Sequence, residues 1–274
     1  MIRANIEKAF PITEIRNQLY KSDSDGYYVF KNFITEINLQ RMRNYWLNKN
    51  IDINFSKFIK NQDVTVRSPN YYYAKPNDSD RAYCCFLWNS PHCQITHEVA
   101  FEIQYLRNVI EDRPIYFGLN GLQGQYLQYR VCNSVSEGQI VYPHGDFIEM
   151  SRSDSAANHD FDPSRLQATL LLSSPEKDYS GDGFIMENNQ GKELSFCDMG
   201  AKAGDLILWR YGNIHQVRGI KISGDQTGFM RIIYPTYELD RNRLYPETEG
   251  MKGMTKVGVV NNREIYQKKI NENS

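Results

Sequence analysis

The chain has 274 residues, 41% of them hydrophobic and 24% charged, enough for one large domain or two small ones with a buried core. Its 32 basic and 33 acidic residues leave a formal net charge of -1, so the chain as a whole offers no electrostatic case for a nucleic-acid partner or a membrane surface. No run approaches the roughly 20 apolar residues of a membrane span, and Met1 to Phe10 carries charge without the apolar centre of a secretion signal. The expectation is therefore a reduced, cytoplasmic compartment.

Gly26 to Phe33 reads as a short aromatic strand. A helix is predicted from about Thr35 to Leu47, with Thr35 as its cap and Ile37, Met42 and Trp46 as core residues. Arg41, Arg43 and Lys49 are mixed with acids and apolar residues, as on a solvated helix face. Residues 60–92 are polar, rich in tyrosine and punctuated by Pro69, Pro76 and Pro91, which predicts long loops and short strands able to reach over a site. The five cysteines, Cys84, Cys85, Cys93, Cys132 and Cys197, lack zinc-site spacing and read as buried or partly buried thiols. A second helix is predicted over Glu98 to Asn108, with Val99, Ile103, Tyr105 and Leu106 near helical spacing before Asp112-Arg113-Pro114.

The pattern then changes. Short runs follow one another at Tyr126–Cys132, Ile140–Ile148, Gln167–Leu172, Gly183–Met186, Leu206–Trp209, Ile214–Ile222 and Gly228–Tyr234. Turn residues separate them, as at Ser180-Gly181-Asp182-Gly183 and Ser223-Gly224-Asp225-Gln226. The predicted fold is mostly β with flanking helices, a double-stranded β-helix of the jelly-roll or cupin-like kind. One domain is expected over 1–274: helices, short strands and loops over 1–114, the jelly-roll core over 115–238, and an extension over 239–274 whose only strand-like run is Val257–Val260.

Within that core, His144 and Asp146 stand two apart in a strand, and alternation puts both on one face. His215 begins another strand 71 residues later. Two imidazoles and a carboxylate on one face make a facial triad, which leaves positions on iron(II) open for substrate and oxygen. A histidine merely hydrogen-bonded to a nearby aspartate is the bland alternative for the pair taken alone.

The order of features around the pair adds to this. EGQIVYPHGDF (137–147), SPEKDYSGDGFIM (174–186), GDLILWRYGNIHQV (204–217) and GFMRIIYP (228–235) together resemble the Fe(II)/2-oxoglutarate-dependent oxygenases, in both their prolyl 4-hydroxylase-like and phytanoyl-CoA dioxygenase-like branches. DGYYVFKNFITEINLQRMR (25–43) is similar to the opening strand and helix of the latter branch. The resemblance implies a hydroxylase that takes Fe(II), 2-oxoglutarate and O2 and releases succinate and CO2. It gives the metal to His144, Asp146 and His215, and the distal carboxylate of 2-oxoglutarate to Arg231. A planar guanidinium suits that task, since it pairs with a carboxylate through two hydrogen bonds.

Arg231 lies 16 residues beyond His215, and a hairpin lengthened at Ser223–Gln226, with its two strands side by side, would absorb that interval. Its rival Arg218 should project from the opposite strand face to His215. Gln167, Thr169 and Leu171 share a face, so Thr169 is expected to donate its hydroxyl to the cosubstrate. On the neighbouring strand Gln128 or Tyr129 would do the same, depending on which points inward, with Gln128 the expected one; core packing is the alternative for each. Because Asp146 is present, where related halogenases lack this carboxylate, hydroxylation or desaturation is expected.

The loop Ser151–Pro163 follows the first metal strand, which makes Arg152, His159 and Asp160 candidate substrate or lid contacts, with a solvated loop as the plain alternative. Arg130 is a further substrate candidate, pairing with an anionic substrate group or with a structural acid. The expected partner is a small molecule such as a modified amino acid or a natural-product intermediate, with no nucleic acid or membrane involved; oligomeric state is not legible. The competing class is a cupin-like metal-binding protein or isomerase, which would not need Arg231; a barrel without metal is the third.

Overall fold

The structure is a computed structural model that describes residues 1–48, 50–57, 68–74, 80–119, 125–138, 140–145, 166–210, 212–238, 254–260 and 263–268. Helices α1 (Ile2–Ala9) and α2 (Ile12–Tyr20) meet at Pro11, which cannot extend α1 and holds Phe10 in an extended conformation. Strand β1 (Tyr27–Phe30) leads to helix α3 (Glu36–Trp46), whose first turn is capped by Thr35 Oγ1 accepting from the Asn38 amide at 3.4 Å. Helix α3 buries Leu39, Met42 and Trp46, while Ile37, predicted to be core, is 60% exposed. Two residues before Leu39 is about 200° round the helix, on the solvent side.

A 3-10 turn at Ile51–Asn54 precedes the short strands β2 (Ser56–Lys57), β3 (Tyr71–Ala74) and β4 (Asp80–Phe86). Helix α4 (Gln94–Ile110) outruns its prediction at both ends and stops before Asp112, which takes a left-handed φ of 57°. Val99, Ile103 and Leu106 are buried along it, as are Thr96, Gln104, Arg107 and Asn108. Such polar burial demands partners. Arg107 supplies several, donating to the carbonyls of Leu166 at 3.1 Å and Tyr234 at 2.7 Å and to the Gln104 amide oxygen.

From here the chain crosses repeatedly between two sheets. The strands are β5 (Gln125–Ser134), β6 (Val141–His144), β7 (Leu166–Leu171), β8 (Phe184–Glu187), β9 (Glu193–Ser195), β10 (Leu206–Arg210), β11 (His215–Val217), β12 (Phe229–Ile233) and β13 (Thr236–Glu238). The larger sheet runs β1-β10-β7-β12-β5-β4-β3-β2, with β13 returning beside β5; the smaller runs β6-β11-β8-β9, where the successive strands β8 and β9 stay together. Helices cover the outer face of the larger sheet, where Leu170, Leu206, Leu208, Met230 and Ile232 join Ile15, Met42 and Ile103. Its inner face and the smaller sheet share a second apolar layer: Leu171, Ile207, Trp209 and Phe229 from one, Phe184, Met186 and Val217 from the other. Covered on both faces, β7 is buried at every position.

Two expectations need correction. Strands β11 and β12 do not lie side by side: β11 pairs with β6 and β8, and β12 with β5 and β7, so the connection crosses between sheets. It arrives at Gly228, with φ 98°, where a Cβ would stand 2.6 Å from the Ser134 carbonyl oxygen. The C-terminal extension holds a two-stranded hairpin, β14 (Met254–Val260) with β15 (Arg263–Lys268), rather than one strand-like run. All five cysteines are free thiols and only Cys197 is exposed. No described helix is long and apolar enough to cross a membrane.

Candidate metal and carboxylate site

The pairing of β6 with β11 sets His144 directly opposite His215, with ring centroids 4.3 Å apart. His144 Nδ1 lies 2.7 Å from the Tyr142 carbonyl oxygen and His215 Nδ1 3.1 Å from that of Asn213. A carbonyl only accepts, so in the neutral ring each Nδ1 carries the proton and each Nε2 keeps the lone pair a metal needs. The tautomer of His215 thus depends on a clamped turn. Asn213 donates its amide N–H to the Arg210 carbonyl at 3.1 Å, accepts from Arg210 Nε at 3.1 Å, and donates from Nδ2 to the Glu187 carbonyl at 3.0 Å. Trp209 packs edge-on to the His215 ring at 4.5 Å, so one flank is dry. Asp146 lies outside the described residues, as do Arg152, His159 and Asp160. Among the described residues no three His, Cys, Asp or Glu side chains gather at a metal-binding distance.

Arg231 is 6% exposed and lies over the Phe229 ring, 4.4 Å from its centroid. Its Nη1 has no hydrogen-bond partner among the described residues. Two hydroxyls of the same interior are also unpaired: Thr169 Oγ1 and Tyr179 Oη, both in fully or nearly fully buried residues. Thr169 sits opposite Ile233 and Arg231 opposite Leu171, so Thr169 and Arg231 are diagonal neighbours on one sheet face. Burial pushes the Tyr179 hydroxyl well up, while Arg231 pulls it down, so the phenol stays a protonated donor. A guanidinium and two hydroxyls buried without partners would be costly in an apolar layer. A carboxylate arriving from outside would satisfy all three, so the residues present fit a 2-oxoglutarate end. Tyr179 was not anticipated. Its segment stood out for Gly181 and Gly183, and only its fold over Phe229, with ring centroids 5.1 Å apart, carries the ring into this layer.

The question of Gln128 or Tyr129 is settled as geometry by register. Arg231 faces Cys132 and Ile233 faces Arg130, so Gln128, Arg130 and Cys132 share the inner face with Arg231. Tyr129 turns outward to the helices, near His97. Gln128 is fully buried, accepts from Arg130 Nε at 2.9 Å and donates to the Tyr71 hydroxyl at 3.3 Å. Arg218 is at the surface, bound to Glu193 at 2.8 Å and Asp182 at 3.2 Å.

Comparison by sequence matches no known protein family and no curated protein. Comparison of structures does give matches. A prolyl hydroxylase from Trichoplax adhaerens, solved with a hypoxia inducible factor peptide fragment, superposes with a TM-score of 0.54 at 14% identity, over 90% of this chain and 96% of that one. A prolyl-4-hydroxylase from Pseudomonas putida gives a TM-score of 0.49 at 12% identity, over 84% of this chain and 99% of that one. The first likeness establishes a shared fold.

Proposed function

We propose that this chain is an iron(II)- and 2-oxoglutarate-dependent dioxygenase, folded as a double-stranded β-helix, that hydroxylates or desaturates a small molecule with release of succinate and CO2. Arg231 carries the reading. A buried guanidinium with an unpaired Nη1, in one interior with two unpaired hydroxyls and on the sheet that packs against the histidine strands, calls for an anion that the described residues do not supply.

In this reading His144, Asp146 and His215 hold the iron. When bound, the metal supplies the oxidation by O2 of both the keto acid and the substrate. The rest falls to side chains. Arg231 orients the distal carboxylate of 2-oxoglutarate through two parallel hydrogen bonds, and the Thr169 and Tyr179 hydroxyls complete its shell. The Tyr142 and Asn213 carbonyls hold both imidazoles with Nε2 as the donor atom. Trp209, Phe184 and Phe229 keep water from the cosubstrate end. Gln128 acts through Arg130, since its amide is engaged there. The buried free thiols support a reduced, cytoplasmic setting.

The test is anaerobic difference absorption. Iron(II) followed by 2-oxoglutarate should raise a weak visible band in the wild type and none in His144→Ala or His215→Ala. A wild type that binds iron but raises no band would lose its cosubstrate and become a cupin-like metal protein. A wild type that binds no iron would end the metal reading.

A further inference from the structure

A second hollow, of about 730 Å³, lies between α1, α4 and β1 with the turn that follows it. Small-ligand sites occupy roughly 300–1,000 Å³, so the hollow has their size. Tyr28, Phe30 and Leu106, which line it, belong to the apolar layer on the helix side of the larger sheet, whereas the residues around His215 and Arg231 belong to the layer on its other face. The two sites are therefore separate.

Helix α1 borders the hollow without filling it. Ile2, Ile6 and Phe10 recur every four residues along α1 and its C-cap, which makes one apolar stripe, yet α1 buries no residue completely. Arg3 ties this helix to the end of α4, donating to the Arg113 carbonyl and to Asp112 at 3.4 Å.

The floor is aromatic. Ring centroids place Phe30 at 5.5 Å from Phe10, 4.7 Å from Tyr28 and 6.2 Å from Phe33, with planes 84°, 59° and 73° apart. None of these pairs is parallel, so the rings do not spend their electron-rich faces on one another in stacks. Tyr105 of α4 adds a fifth ring to the lining.

The unanswered charge here is negative. Lys31 also lines the hollow, but its ammonium is engaged by the Gly200 carbonyl and by the buried Asp205 at 3.2 Å. Glu102 stands exposed at the rim and makes no hydrogen bond or ion pair with any described residue. Partial burial, with Glu98 one turn earlier, pushes its carboxyl up, as for a carboxylate short of a counter-ion.

We propose that this hollow binds a small organic cation, an ammonium carried on an apolar or aromatic body, with Glu102 as counter-ion and Tyr28, Phe33 and Tyr105 beside the charge. Aromatic faces attract a cation and disfavour an anion, and a neutral ligand would leave Glu102 unanswered. This goes beyond the oxygenase reading and does not rest on it.

The probes are 4-phenylbutylamine, 4-phenylbutanol and 4-phenylbutanoate, which share one apolar body and differ in the charge at its end. Each is titrated calorimetrically into the full chain at neutral pH. The amine should bind about tenfold more tightly than the alcohol, and the acid more weakly than either. Glu102→Gln, a change at an exposed position, should erase the preference for the amine while affinity for the alcohol stays within about twofold. Phe33→Leu keeps an apolar side chain but removes a ring, so it should cost the amine several times more affinity than the alcohol. His215→Ala should bind the amine as the wild type does. Equal binding of amine and alcohol, or binding of neither, overturns the proposal. So does a preference that survives Glu102→Gln, or an equal loss for both probes in Phe33→Leu. Loss of amine binding in His215→Ala would move the amine to the histidine site and overturn it as well.

Discussion

At the scale of single residues, the proposed carboxylate end of the site turns on the chemistry of Arg231. Burial over Phe229 removes the water that would otherwise solvate the guanidinium, so in the proposed reading its contribution to cosubstrate binding would be large and tied to its geometry. Arg231→Met should weaken 2-oxoglutarate binding by at least about a hundredfold and leave iron binding intact; Arg231→Lys, which keeps charge but loses the fork, should recover only part. Thr169→Val, which removes one hydroxyl at nearly constant shape, should cost about three- to tenfold. The visible-band titration reads all three variants. Asn213 acts one step further out. Asn213→Ala breaks the turn that presents its carbonyl to His215 Nδ1, and metal affinity should fall about tenfold, measured by cobalt(II) binding. Equal cobalt affinity in this variant would deny the turn any role in holding the ring.

At the scale of elements, one clamp joins helix α3 to the loops beside the site. Arg43 donates to Asp178 at 2.7 and 3.1 Å, and Asp178 also accepts from the Ser174 amide at 2.8 Å and the Thr227 hydroxyl at 3.3 Å. Burial pushes the Asp178 carboxyl up, but these hydrogen bonds outweigh it and hold the group below its usual range. A depressed carboxylate stabilises the fold above its unfolded value, about 3.9, and that contribution fades as pH falls through the lower folded value. Asp178→Asn should therefore be about 2 kcal/mol less stable at pH 7, with the gap closing below about pH 4, in urea melts across pH. Arg107 ties α4 to the carbonyls at the ends of β7 and β12. Arg107→Met should leave those carbonyls unsatisfied and cost about 3 kcal/mol by the same measurement.

Much at this scale was legible beforehand. Thr35 caps α3 as predicted because a hydroxyl before a helix acts locally. The strand runs from Gln167 to Tyr234 fell near their observed places because short apolar runs bounded by turn residues are likewise a local signal. Ile37 was misjudged because two neighbouring apolar residues on a helix do not share a face. The supposed β11–β12 hairpin failed for another reason: a turn sequence announces a reversal, but not which sheet receives the next strand.

For the whole molecule, the two-sheet arrangement brings histidines from the smaller sheet and arginines from the larger onto one shared interior. A ligand bridging the two sheets should stabilise the fold as a unit. With iron(II) present throughout, 2-oxoglutarate at a hundred times its Kd should add about 2.7 kcal/mol, raising Tm by about 5 °C under argon, whereas adding 2-oxoglutarate to iron-loaded Arg231→Met should give no further rise. A rise that persists in that variant would place the stabilising contact elsewhere.

The sequence by itself determined what is local: the strand runs, the helix cap, the alternation that separates Arg218 from His215, and a donor set of two imidazoles and a carboxylate whose chemistry suggested iron. Only the tertiary structure decided that His144 stands across from His215, that Gln128 and Arg130 rather than Tyr129 look inward, and that the Tyr179 hydroxyl reaches the layer of Arg231. Alternation tells which residues of a strand share a face. Which face is inner, and which strand lies opposite, depend on register and packing between segments distant along the chain, and no local pattern encodes those.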